Sequence, residues 1–128
     1  MTKSEQLIRS ILGPIRSDIR PLSYAVEIAE ELLFVQKIPM DDIRVTESIY
    51  PAVAEMIERS SGTVARRVER LANFCWDALV ERKLVEQYIG EAIQKIRAPR
   101  DIIFYLAYYL HFDKPFYKVI EAQPTLLF

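Results

Sequence analysis

Cysteine occurs once, at Cys75, and histidine once, at His111, so this chain can build neither an internal disulfide nor a Cys/His metal cage. Long apolar runs are missing too: stretches such as Ile102 to Leu110 fall far short of the roughly 20 residues that cross a bilayer. No Lys-led apolar segment ends in a cleavage-like site, so the chain is expected to be cytoplasmic, with no membrane partner. Glycine is scarce, at three residues, and β-branched residues seldom alternate with polar ones, which excludes most strand patterns. There is no Gly-rich phosphate loop, no Ser/His/Asp or Cys/His arrangement with plausible geometry and no His-Glu helix motif. An enzyme is not expected, and neither a cofactor nor a metal is implied.

What is present is an ordinary globular balance. Apolar residues make up 51% and charged residues 27% of 128 residues, enough for one core and too few residues for two, so a single domain over 1–128 is expected. The formal net charge of −1 does not advertise a nucleic-acid binder, but the charge is segregated. From Glu27 to Glu58 eight acidic residues face Lys37 and Arg44, whereas Arg59, Arg66, Arg67 and Arg70 are opposed within their own stretch by Glu69 alone. A local basic patch can meet phosphate even when the total is near zero.

The periodicity predicts an all-α domain of six to seven helices. Thr2 with Glu5 has capping-box spacing, Leu7, Ile8, Ile11 and Leu12 form one stripe, and Gly13-Pro14 closes the first helix. Pro21 opens a second, running to about Lys37. Asp42 or Thr46 could cap a short helix through Ile49, and Tyr50-Pro51 starts another to Ile57. The turn Arg59-Ser60-Ser61-Gly62 follows, with serines to cap and a glycine to relax the backbone, and then a long helix to about Glu81. Further helices are expected from about Glu86 to Ile96, Pro99 to His111 and Pro115 to Glu121.

A short helix, a tight turn and a longer helix, here about 51–81, is the sequence form of a helix-turn-helix, whose second helix lies in the major groove. At 100° per residue Val64, Val68, Leu71, Ala72, Cys75 and Leu79 share one side of the long helix. Gly62, Thr63, Arg66, Glu69, Arg70, Asn73 and Asp77 fall broadly opposite. Thr63, Arg66, Arg70 and Asn73 are the candidate base contacts, because a guanidinium fits the O6/N7 edge of guanine and an amide fits adenine. Arg59, Ser60, Ser61 and Arg67 are candidates for backbone phosphates.

These residues resemble the C-terminal DNA-binding domain family of the sporulation response regulator stage-zero sporulation protein A. From Tyr50 to Trp76, the pair Tyr50-Pro51, Val53-Ala54, the Ser60-Ser61 turn, Val64, Arg66, Val68 and Trp76 fall at that family's spacing. Ile11 with Gly13-Pro14, then Tyr88-Ile89-Gly90, Ala98-Pro99 and Ile102-Ile103, extend the likeness from about residue 7 to about 112. The resemblance implies a six-helix effector domain that binds a short asymmetric box on double-stranded DNA, often as tandem dimers, and recruits or blocks RNA polymerase. Thr63 and Ala65 stand where the family has arginine and glutamate, so different base preferences are expected. The family's receiver domain has no counterpart in this sequence, so a stand-alone effector domain or a fragment is expected, with regulation from elsewhere or constitutive binding.

The rings Phe104, Tyr105, Tyr108, Tyr109, Phe112, Phe116 and Tyr117 suggest a homodimer through the C-terminal helices. Cys75 and Trp76 read as core, and His111 as a hydrogen-bonded structural histidine. The bland reading of Arg66, Arg67 and Arg70 is a solvated face paired with Glu55, Glu58 or Glu69. A second functional reading follows from it: an interaction or dimerisation module of the same fold that has lost DNA binding. Acidic groups folded over the face from Arg59 to Asn73 would favour the second reading, and an unneutralised strip the first.

Overall fold

The computed structural model describes residues 1–128 and is all-helical. The helices are α1 (Lys3–Leu12), α2 (Arg20–Glu30), α3 (Tyr50–Ile57), α4 (Ser61–Glu81), α5 (Val85–Ile89), α6 (Asp101–Phe112) and α7 (Phe116–Ala122). Wider π turns extend α2 through Glu31–Val35 and lead into α3 over Val45–Ile49, and 3-10 turns cover Met40–Asp42 and Pro124–Leu126. No helix is long and apolar enough to cross a membrane.

Local chemistry sets the first boundaries. Thr2 accepts from the Glu5 amide at 3.2 Å and Glu5 accepts from the Thr2 amide at 3.4 Å, the reciprocal cap that its spacing predicts. Gly13 ends α1 at φ +72° and donates its amide to Arg9 at 2.8 Å. Pro51 sits in the first turn of α3, where its missing N–H has no helical partner to lose.

α6 is the axis of the core. Ile102 to Tyr108 are buried without interruption, as expected of a helix that is apolar all round. α2 lies along it, and α4 packs its inner stripe against α1, α2 and α3. That stripe, Val64, Val68, Leu71, Ala72, Cys75 and Leu79, is buried throughout, as its periodicity predicts. At the far end of α4, Arg82 donates to the Ile11 carbonyl at 2.7 Å and so latches this end to α1.

Three local expectations change. The helix expected to reach Ile96 stops at Ile89, because Gly90 turns left-handed at φ +102° directly under α7. A Cβ there would sit 3.1 Å from both the Cβ and the amide nitrogen of Tyr117, so the position needs glycine for both space and conformation. Neither Asp42 nor Thr46 caps the turn before α3; Arg44 occupies the cap position without a side-chain bond. In the turn before α4 the left-handed residue is Glu58, at φ 56°, and Gly62 has no positive φ and lies within the helix.

The aromatic residues are largely consumed internally. Phe104, Tyr105, Tyr108 and Phe116 are buried, with Tyr108 and Phe116 edge to face at 4.8 Å and Tyr108 against Phe34 at 5.1 Å. Tyr109 packs on Tyr88 at 4.9 Å. Core packing thus takes up Phe104, Tyr105, Tyr108 and Phe116, whereas Tyr109, Phe112 and Tyr117 are partly exposed. His111 stacks on Phe34 at 4.3 Å with Nδ1 3.4 Å from Glu30, a structural setting.

Candidate nucleic-acid interface

α3 and α4 are joined by Glu58, Arg59 and Ser60, with the sharp reversal at Glu58. Ser60 caps α4: its hydroxyl oxygen accepts from the Thr63 amide at 3.2 Å. The first amides of a helix have no intrahelical acceptor, so those of Ser61 and Gly62 face solvent, and no side chain at Gly62 screens them. Ser60 also donates its hydroxyl to Thr63 Oγ1 at 3.0 Å, and Arg66 Nη2 reaches the same oxygen at 3.4 Å. The start of α4 is thereby a small ordered polar cluster.

Thr63, Arg66, Arg67 and Arg70 together line a shallow groove that contains no apolar residue. Arg67 is also part of a neighbouring cleft, shared with Arg59 from the turn and with Asp18 and Arg20 from the entry to α2. Ser60 and Ser61 are exposed at the end of the strip. Asn73 is exposed on α4 but lies outside both concavities. Thus the structure assembles Arg59, Arg66, Arg67, Arg70 and Thr63, with the two serines at their edge and Asn73 beyond them.

The electrostatics decide between a paired and a free surface. No carboxylate oxygen lies within 4.0 Å of the guanidinium groups of Arg59, Arg66, Arg67 or Arg70. Glu55 and Glu58 are exposed and form no ion pair, and Glu69 points elsewhere. It accepts from the Tyr50 hydroxyl at 2.9 Å and from Arg100 Nη2 at 3.4 Å. Glu69 is half-buried, which corrects its expected place on the outward face. Burial, then the bond to Glu69, raises the Tyr50 phenol well above its usual range, so Tyr50 stays a donor at any ordinary pH.

No family model, curated protein or solved structure matches this chain.

Arg20 beside the strip and Arg100 behind it are not legible from local spacing, since they lie 47 and 31 residues from Arg67 and Glu69 respectively. Asp18 holds Arg20 through two bonds of 2.9 Å, and that pairing, reinforced by the field of Arg67, keeps its carboxyl below the ordinary carboxylate range. Cys75 lies on the opposite side of α4, where burial pushes its thiol up to about 12. A thiol held neutral in this way is packing material, not a nucleophile. No group of three or more His, Cys, Asp or Glu residues is placed to hold a metal.

Proposed function

We propose that this chain is a sequence-specific DNA-binding transcription regulator of the helix-turn-helix type, with α3 and α4 as the motif and α4 entering the major groove. The observation that carries the reading is the ridge of four guanidinium groups with no carboxylate oxygen within 4.0 Å, although the chain as a whole is slightly acidic. A surface that merely solubilises a helix in an acidic protein gains from pairing its arginines; one built for an anionic partner gains from leaving them open. Glu69, the one acid within the Arg59 to Arg70 stretch, is drawn inward by Tyr50 and Arg100.

Arg66 and Arg70 stand one turn apart and serve as base-reading side chains, with Thr63 at the groove floor and Asn73 further along. Arg59, Ser60, Ser61 and Arg67 hold backbone phosphates, helped by the uncovered amides at the start of α4. The resemblance to the stage-zero sporulation protein A effector domains supports the same assignment, and with it contact to RNA polymerase in the cytoplasm.

Binding to a mixed-sequence duplex measured against salt tests the reading. Log K is expected to fall steeply with log[salt]; a flat response would return the chain to the class of interaction modules. Arg66→Ala or Arg70→Ala is expected to cost about 1 to 3 kcal/mol and relax preference at particular base pairs. Arg59→Ala or Arg67→Ala should weaken all sequences about equally. Four indistinguishable variants would contradict the division between base and phosphate contacts.

A further inference from the structure

Beside the groove on α4 lies a second cleft, where the entry to α2 faces the end of α3 and the turn that follows it. Its polar groups are Arg20, Tyr24, Arg59, Arg67 and Asp18, set against an apolar flank of α3. We propose that this cleft seats a backbone phosphate of the same duplex and makes the start of α2 a second anchor on DNA, with Arg20 as the ligand that the α3–α4 unit lacks. The inference rests on α4 being the DNA face.

Three observations support it. The cleft and the α4 groove share Arg67 as a common wall, so a strand leaving one enters the other without crossing neutral surface. Three guanidinium groups face one carboxylate there, a local excess of positive charge suited to an anion. That carboxylate is also committed: Asp18 takes Nε and Nη2 of Arg20 at 2.9 Å each and the Arg20 amide at 3.0 Å. A guanidinium has five N–H donors in a fixed fork. The bidentate pairing uses one edge of Arg20, fixes its plane and leaves the remaining donors for a second anion. Asp18 therefore orients Arg20 and at the same time opposes the phosphate, which makes its removal informative.

The test uses the full chain and duplex DNA, with affinity read by fluorescence anisotropy across a salt series and fold integrity by thermal melts. Arg20→Ala is expected to weaken every sequence alike, by roughly three- to tenfold near ~0.1 M salt, and to reduce the salt slope by about 0.9. Asp18→Asn, which keeps an oxygen for the Arg20 amide but removes the opposing charge, is expected to tighten binding to all sequences. Tyr24→Phe, which leaves the ion pair intact, reports the cleft independently should Arg20→Ala fail to fold, and is expected to weaken binding slightly and uniformly. An unchanged slope in a folded Arg20→Ala, or weaker binding by a folded Asp18→Asn, would overturn the second anchor. Absence of salt-dependent binding in the unmodified protein would instead overturn the reading on which it rests.

Discussion

Two groups of arginines behave in opposite ways. Arg59, Arg66, Arg67 and Arg70 have no carboxylate partner, whereas Arg97 pairs with Asp101 at 3.8 Å and Arg100 with Glu69 at 3.4 Å. Composition alone treats the two groups as the same resource. In one group Arg100 ties α4 to the approach to α6 and Arg97 pairs locally with Asp101, while the other is left open to a partner. The difference teaches that the useful quantity is not how many cations a chain carries but which of them its own acids have claimed, and here a single inward-turned carboxylate separates the two uses.

Replacing both Arg66 and Arg70 by alanine gives the largest expected effect. Duplex affinity should fall by roughly thirtyfold or more, since each bidentate contact contributes about 1 to 3 kcal/mol, while the melting temperature stays within a degree or two. A large loss of stability would mean that these side chains belong with the paired group after all. Glu69→Ala comes next and acts on the fold: it strands the Tyr50 hydroxyl and leaves Arg100 unpartnered, at an expected cost of about 1 to 3 kcal/mol in denaturant unfolding. Unaltered stability would show that Glu69 is not the divider.

Alkaline pH separates the two sides without mutation. The folded state raises Cys75 to about 12 from 9.0 and raises Tyr50 above 10.0, so the unfolded chain loses these protons first. Their stability contribution is intact below pH 9 and is lost as pH rises above it, while arginine stays charged throughout. Urea midpoints should therefore drop between pH 8 and 10.5, with the affinity of the still-folded fraction unchanged; parallel loss of both would break the separation. The smallest effect belongs to Arg97→Ala, since the Arg97 side chain is itself 88% exposed and meets Asp101 only at 3.8 Å. Stability should move by less than about 0.5 kcal/mol and affinity hardly at all.

Much of α4 was legible in the sequence because its information is local and periodic. The buried stripe from Val64 to Leu79, the Ser60 cap and the outward arginines all follow from 100° spacing and from what a first turn needs. The capping box of α1 is legible for the same reason. The failures are tertiary. Nothing near Gly90 announces that α7 will lie on it, so helical propensity carried the reading of that segment on to Ile96. Glu69 looked outward by angle alone, and only Tyr50 and Arg100, 19 and 31 residues away, turn it inward. Gly62 suggests the relaxed backbone of the turn before α4, yet the left-handed residue there is Glu58. Arg20 reaches the cleft beside the strip only through the packing of α2 against α3 and α4.

The latch between Arg82 and the end of α1 has a mechanical consequence. α4, with 21 residues, is a rod of about 32 Å whose displayed tip and anchored heel lie at opposite ends. A tilt of about 5° about the heel would swing the tip by roughly 3 Å, as far as a hydrogen bond is long. The bonds of Arg82 to the Ser10 and Ile11 carbonyls, together with the stripe packed along the rod, hold that angle and so fix where the tip is displayed.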